Sequence, residues 1–184
     1  MRRKKHLLWL TALGLFALVG VAAATQPHPQ TADVSAAFTA DQTRSHSRTC
    51  TQGGDTFRIT NAVWRGTSTS AEPRLAGNLV ISTRTVVNET TGDGWFSGTW
   101  RTTPSAPMNP GHHGRRARSN ARLSGVIDDG NHLDGLATGQ VRADWARLLG
   151  NLSAVVNGTN VSGNLGANAP VAPDNSALLY RGGC

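Results

Sequence analysis

The sequence lacks most of the side-chain combinations on which catalysis and metal binding depend. Its only lysines are Lys4 and Lys5, and its only cysteines are Cys50 and Cys184. It has no Cys/His cluster with the spacing of a zinc site, and the predicted inward face has no paired carboxylates and no Ser/His/Asp set. No segment shows convincing helical periodicity. These absences argue against a helical protein and an acid–base enzyme, and they predict neither a metal nor a cofactor.

The first 24 residues have the organisation of a secretory signal peptide. Positively charged residues 2–5 precede an apolar run at 7–21, and the small residues 22–24 offer a cleavage site. The run is short for a spanning helix, so we expect no membrane span after the signal is removed. The expected location is extracellular or in the cell envelope. A composition rich in arginine, alanine, glycine and threonine suggests a bacterial source.

Removal of the signal also changes the charge of the chain. The formal net charge is +7, and residues 2–5 contribute four of these charges, which leaves +3 for the mature chain. All of its basic side chains other than histidine are then arginines. Such a mildly basic chain is not expected to bind nucleic acid.

Two cysteines bracket almost the whole patterned region. An even number of cysteines in an exported chain favours a disulfide, so Cys50 and Cys184 are predicted to be bonded. Residues 25–49 contain Pro27 and Pro29 among polar residues and show little periodicity, which predicts a flexible leader. The folded domain is therefore predicted to span residues 50–184.

A five-residue pattern occurs six times: an apolar residue, any residue, glycine, any residue and an apolar residue. In a strand, the first, third and fifth of these residues share one face. Recurrent glycine within strands indicates sharp bends or the close approach of a neighbouring strand. The copies lie at 75–79, 96–100, 123–127, 133–137, 148–152 and 161–165.

Alternation of apolar and polar residues predicts about eight short strands. In the first of them, Phe57, Ile59 and Val63 are predicted to face inward, and Arg58 and Thr60 outward. The predicted strands are 56–64, 75–87, 95–102, 121–127, 133–141, 146–156, 161–167 and 176–181.

Two predicted turns fix the register of their hairpins. Residues 128–131 supply the positive-φ positions that a tight hairpin needs. A two-residue turn at 158–159 would pair Ala154 with Gly163 and Leu152 with Leu165, all on the apolar face.

One apolar and one polar face on each of about eight strands predict an all-β fold. We favour a single antiparallel, mostly meandering barrel, because closure removes exposed edges and explains the glycine bends. A Cys50–Cys184 bond would tie the first and last strands together. A two-sheet β-sandwich is the alternative.

The segment 103–118 interrupts the pattern with three prolines and two glycines, which predicts a long exposed loop. This loop is a candidate site for an anion, an acidic surface polymer or a partner protein, the alternative being a solvated loop with no ligand. Two adjacent histidines are poor chelators without a third ligand, so no metal site is predicted. The candidate residues are His112, His113, Arg115, Arg116 and Arg118.

Trp64, Trp95 and Trp145 form a second candidate site, an aromatic surface. Exposed tryptophan can stack on sugar rings or fill a pocket of a partner. The alternative is that these side chains cover the ends of the barrel. A third cluster, formed by Asp128, Asp129, His132 and Asp134, is explained by turn chemistry and solvent-facing positions alone.

The stretch Gly92-x-Gly94-Trp95-x-x-Gly98-Thr99-Trp100, together with the later glycine-punctuated hairpins, resembles small secreted bacterial β-barrel proteins of unassigned function. It is also remotely similar to the allene-oxide-cyclase and dirigent type of barrel. The resemblance covers residues 56–180 in strand order and glycine rhythm. It implies an apolar lumen that binds or steers a small hydrophobic molecule, although none of the working residues of those families matches a position in this chain.

Together these features predict a secreted, non-catalytic binding or cell-envelope module. The expected ligand is an acidic surface polymer or a small apolar molecule. Two alternatives stay open. One is a small barrel enzyme of cyclase, isomerase or lyase type acting on an apolar substrate, and the other is an inhibitor that presents the 103–118 loop to a partner protein.

Overall fold

Eight antiparallel strands close into a barrel in which each strand pairs with the next and β8 pairs with β1. The computed structural model describes residues 32–104, 118–141, 146–166 and 184. The predicted all-β antiparallel barrel is confirmed, and the sandwich alternative is wrong. The strands are β1 Ser35–Gln52, β2 Asp55–Thr69, β3 Gly77–Asn88, β4 Gly94–Thr103, β5 Ser119–Asp128, β6 His132–Val141, β7 Ala146–Asn157 and β8 Asn160–Gly166.

The first strand lies in the segment predicted to be a flexible leader. For residues 35–49 that prediction is wrong, and the barrel begins well before residue 50. Ala36, Phe38 and Ala40 are buried and alternate with exposed neighbours. Two of these three inward positions are alanine, which is depleted in strands and has low hydrophobicity, so the period of two is weak in the sequence of β1. The predicted last strand, 176–181, lies outside the described residues.

The predicted faces of β2 are reversed. Directly paired residues share one face of a sheet. Trp64 pairs with Ile81, which pairs with Trp100, and all three are buried in the main core inside the barrel. Phe57 and Ile59 therefore point outward, where they form a second buried cluster with Val86. The error arose because β2 has apolar residues at both parities, and the pattern alone did not distinguish the two sets.

The lumen is filled mainly by aromatic and aliphatic side chains around Trp100, which is fully buried. The ring of Phe38 meets that of Trp100 edge to face, with centroids 4.9 Å apart. Gly125 and Gly135 face each other on β5 and β6. A Cβ atom added at Gly125 would lie 2.7 Å from Cε1 of Phe96, so glycine at this position makes room for the ring. The glycine pattern thus reflects close packing against the strands and side chains of the core.

The register predicted for the β7–β8 hairpin is confirmed. Ala154 pairs with Gly163 and Leu152 with Leu165. The turn between β5 and β6 also has the predicted positive φ values, 50° at Asp129 and 74° at Gly130.

Residues 70–76, between β2 and β3, cover one end of the barrel. Leu75 is almost fully buried in the core. The carbonyl oxygen of Arg74 accepts hydrogen bonds from Ser119 Oγ at 2.6 Å and from Thr102 Oγ1 at 3.2 Å. The carboxylate of Glu72 pairs with the guanidinium group of Arg74, and this hydrogen bond lowers the pKa of Glu72. These contacts hold the loop against β4 and β5.

The predicted disulfide is confirmed: Cys50 and Cys184 are bonded, with Cα atoms 6.2 Å apart. Cys50 lies on the part of β1 that extends beyond β8, because the β1–β8 ladder ends at Asp41 and Asn160. The bond therefore anchors the end of the chain to this extension and does not join the two strands at the point where they close the barrel. Within the described residues, no helix is long and apolar enough to cross a membrane.

Candidate functional site

The inside of the barrel offers little room for a ligand. A cavity of about 40 Å³ lies among Phe38, Trp64, Phe96 and surrounding aliphatic side chains. An engineered cavity of about 150 Å³ in another protein is large enough for benzene, so this one holds little more than water-sized molecules. The apolar lumen implied by the family resemblance is present, but it is nearly full.

The polar groups of the described residues that face the cavity are threonine hydroxyls and a tryptophan indole N–H group. Thr83 and Thr85 contribute the polar part of the cavity wall, and Nε1 of Trp64 donates a hydrogen bond to Oγ1 of Thr83 at 3.2 Å. Nε1 of Trp100 is buried without a hydrogen-bond partner. Among the described residues that line this cavity there is no carboxylate and no histidine. Hydroxyl groups of this kind can orient a ligand but cannot by themselves provide a general acid or base near neutral pH.

The outer surface of β3, β4 and β5 has three exposed arginines, Arg84, Arg101 and Arg122, which we call the arginine face. These three strands contain a single acidic residue, Asp128, at the end of β5. The arginine face is therefore positively charged.

Strand register sets the spacing within the arginine face. Arg84 pairs with Ser97 of β4, which pairs with Ser124 of β5. Arg122 lies two residues along β5 from Ser124. Two strand spacings and two residues along a strand place the Cα atoms of Arg84 and Arg122 about 12 Å apart.

A shallow groove, largely open to solvent, lies on this surface, with Arg84 and Arg122 among its lining residues. Between the arginines the side chains are short, and most of them carry a hydroxyl group. Nε of Arg101 donates a hydrogen bond to Oδ1 of Asn120 at 3.1 Å, whereas Arg84 and Arg122 form no hydrogen bond or ion pair with any described residue. The polar residues lining the groove include Asn61, Ser82, Ser97, Thr99, Ser124 and Thr138.

The predicted aromatic surface is not assembled as proposed. Trp64 points into the barrel and is only 6% exposed, so its assignment to the surface is wrong. Trp95 faces outward, but it is half-buried against the cluster of Phe57, Ile59 and Val86. Trp145 lies outside the described residues. Trp95 is thus the one predicted tryptophan that the structure places at the outer surface.

The basic loop is only partly described. Arg118 is exposed and directly precedes β5, while His112, His113, Arg115 and Arg116 lie outside the described residues. This loop joins β4 to β5 and therefore leaves the barrel at the end that residues 70–76 cover. Within the described ranges, no group of three His, Cys, Asp or Glu residues could hold a metal ion.

Sequence reasoning missed the arginine face, although the signal was present. Outward arginines occur on three successive strands at positions with polar neighbours. Only the pairing of β3, β4 and β5 shows that they share one surface.

Comparison of this chain with family models, with curated proteins and with solved structures finds no match. The arginine face, the groove and the lumen are therefore the features that bear on function.

Proposed function

We propose that the protein is an exported, non-catalytic binding module that holds an acidic polymer of the cell surface on its arginine face. The observation that supports this most is the pair of exposed arginines, Arg84 and Arg122, at a groove lined by hydroxyl groups. Neither guanidinium group is neutralised by a described acidic side chain. Both are therefore available to an external anion.

The chemistry of these groups favours carboxylate or phosphate groups on a polyhydroxylated chain. A guanidinium group presents a planar set of donors that matches a carboxylate or phosphate in bidentate fashion. Serine and threonine hydroxyls both donate and accept hydrogen bonds, as sugar hydroxyls do. Exposed ion pairs each contribute only about 0.2–1 kcal/mol, so useful affinity requires several contacts along one chain. A polymer supplies such repeated contacts and a small anion does not.

Two alternative functions have less support. A carrier or enzyme for an apolar molecule would need a larger lumen than the cavity of about 40 Å³. An inhibitor that presents the 103–118 loop would depend on residues outside the described part of the chain. Export is supported by the signal-like residues 1–24 and by the Cys50–Cys184 bond, since disulfides persist in oxidising compartments.

The proposal is tested by binding the oxidised protein to polygalacturonate, with neutral dextran as the control polymer. The Arg84→Ser/Arg122→Ser variant should bind polygalacturonate about tenfold more weakly, because two exposed pairs contribute up to about 2 kcal/mol together. Arg58→Ser/Arg147→Ser removes the same charge from β2 and β7 and should bind within twofold of the wild type.

Equal losses in the two double variants would mean that net charge, and not the groove, determines binding. Binding of dextran as tightly as polygalacturonate would contradict a site for an acidic polymer.

A further inference from the structure

The strand β1 is much longer than its partner β8. Their ladder ends where Asp41 pairs with Asn160, and the backbone N–H of Gln42 donates a last hydrogen bond to the carbonyl oxygen of Thr159 at 2.8 Å. From Arg44 to Gln52, β1 pairs with β2 on one side only. Within the described part of the chain, no residue forms a backbone hydrogen bond on its other side, so among these residues the stretch is a sheet edge, which we call the open edge.

A β-bulge marks the start of this open edge. The register with β2 shifts between Gln42 and Arg44, so Thr43 is the extra residue, and its Oγ1 donates a hydrogen bond to the carbonyl oxygen of Val63 at 3.1 Å. The N–H and C=O groups of successive residues in a strand point to opposite edges. Gln42 directs its N–H towards β8, and the extra residue at the bulge shifts this alternation by one position. The N–H and C=O groups of Ser45 and Ser47 therefore point to the open edge. Thr49 follows in the same series.

The side chains beside this edge are basic on one face. Arg44, His46 and Arg48 pair with Val63, Asn61 and Ile59 of β2, whose side chains point outward. All three basic residues are exposed, and none forms an ion pair with a described residue. The open edge is therefore lined by the basic side chains of Arg44, His46 and Arg48, which alternate with residues whose backbone groups have no partner among the described residues.

We propose that residues 43–49 of β1 bind an extended acidic peptide segment of a partner protein, which adds to the barrel as a further strand. This interaction is separate from the polymer binding proposed for the arginine face. Backbone hydrogen bonds supply affinity in such strand addition, and alternate side chains supply specificity. Glutamate or aspartate at every second position of the peptide would lie beside Arg44, His46 and Arg48.

Charge complementarity distinguishes this partner from a second copy of the same chain. In an antiparallel pair of two β1 edges centred on His46, Arg44 of one copy would face Arg48 of the other. Like charges directly opposite each other destabilise a strand pair. Arginines at an open edge thus oppose self-association and favour an acidic strand.

The test measures binding of two fluorescein-labelled nine-residue peptides to the oxidised full-length protein by anisotropy. One peptide alternates glutamate and threonine, and the other alternates lysine and threonine. The acidic peptide should bind at least tenfold more tightly. Arg44→Ser/Arg48→Ser, which leaves the arginine face intact, should bind this peptide at least tenfold more weakly, so failure of the polymer proposal and failure of this one are distinguishable.

A matched pair of variants at Ser47 tests for strand addition. Ser47→Ala removes the hydrogen bond of 2.8 Å between Oγ of Ser47 and Oγ1 of Thr60 but keeps the backbone N–H, so it should bind within twofold of the wild type. Ser47→Pro removes that hydrogen bond and the N–H that faces the open edge, and should bind at least tenfold more weakly.

Hydrogen exchange of the wild-type protein tests the proposal even if Ser47→Pro does not fold. Hydrogen exchange at the amides of Ser45, Ser47 and Thr49 should slow at least tenfold when the acidic peptide is added. Unchanged exchange would overturn the proposal, as would equal binding of the two peptides, no binding of the acidic one, or full affinity in a folded Ser47→Pro protein. A concentration-dependent dimer that Ser47→Pro abolishes would assign the edge to a second copy and would also overturn it.

Discussion

The packing of Gly125 predicts that two similar glycine substitutions will have different effects on stability. A Cβ atom at Gly125 would lie 2.6 Å from Cα of Gly135 and 2.7 Å from Cε1 of Phe96, and would also meet the carbonyl oxygen of Asp134. Two of these three atoms belong to the backbone of β6, so alanine at this position requires a strand to move. Overpacking of this kind costs about 1–3 kcal/mol.

Gly150 is the matched control, because it has the same place in the five-residue pattern. Its nearest neighbour for an added Cβ is Cα of Gly166 at 3.3 Å. That contact can relax by a small shift, and replacing glycine by alanine reduces the entropy of the unfolded chain, which stabilises by about 0.4–1 kcal/mol. Gly125→Ala should therefore destabilise the protein by about 2 kcal/mol, whereas Gly150→Ala should leave stability unchanged or slightly raise it.

Thermal unfolding of the oxidised protein, followed by circular dichroism, measures both effects. For a chain of this size, 2 kcal/mol corresponds to a decrease of roughly 4–8 °C in melting temperature. Urea unfolding should give the same order of stability, with a midpoint change and a constant slope. A Gly125→Ala protein as stable as the wild type would refute the packing account of the glycine pattern, and so would an equal loss at Gly150.

Three further predictions concern other parts of the barrel. Reducing the Cys50–Cys184 bond, or replacing both cysteines by serine, should lower the free energy of unfolding by up to about 4–5 kcal/mol, as measured in urea, because the bond closes a loop with a sequence separation of 134 residues; equal stability of the two forms would contradict this. Because Arg74 lowers the pKa of Glu72 below its ordinary value of 4.5, this pair stabilises the fold above that pH and ceases to do so as pH falls through the lowered pKa. Glu72→Gln should therefore melt below the wild type at pH 7 and match it in strong acid, and a constant difference across this range would exclude the ion pair as the cause. Trp64→Ala should lower the free energy of unfolding by about 3–5 kcal/mol in urea while polymer binding per folded molecule is unchanged, since this side chain is buried in the lumen; a stable variant that loses polymer binding would restore the surface assignment.

The parts of the fold that the sequence predicts correctly are those where two independent signals agree. In the β7–β8 hairpin, the turn at 158–159 and the apolar alternation require the same register, and the structure has that register. In β2 the alternation gives two possible faces, and no turn chemistry decides between them. The alternation predicts that Phe57 and Ile59 face the lumen, but in the structure they belong to an outer cluster that contacts Cys50. In β1 the inward residues are mostly alanine, so the signal itself is weak.

The candidate site was harder to predict than the fold. The alternation within residues 75–87 predicts that Arg84 points outward, as it does, but one outward arginine on one strand does not indicate a binding site. Its neighbours across the sheet, Ser97 and Ser124, follow from the register of three strands. The basic residues of 103–118 are close together in the sequence and are therefore easy to notice, whereas Arg84, Arg101 and Arg122 are spread over three strands.

The most direct test of the arginine face is an NMR titration of the ¹⁵N-labelled, oxidised protein with polygalacturonate fragments. Amide shift changes should be concentrated at 82–84, 97–99 and 122–124, where three adjacent strands line the groove. They should decrease as salt is added, because exposed charges are screened. Shift changes confined to the 103–118 loop, or to inward residues such as Phe96 and Trp100, would contradict the assignment of binding to the outer face of β3–β5.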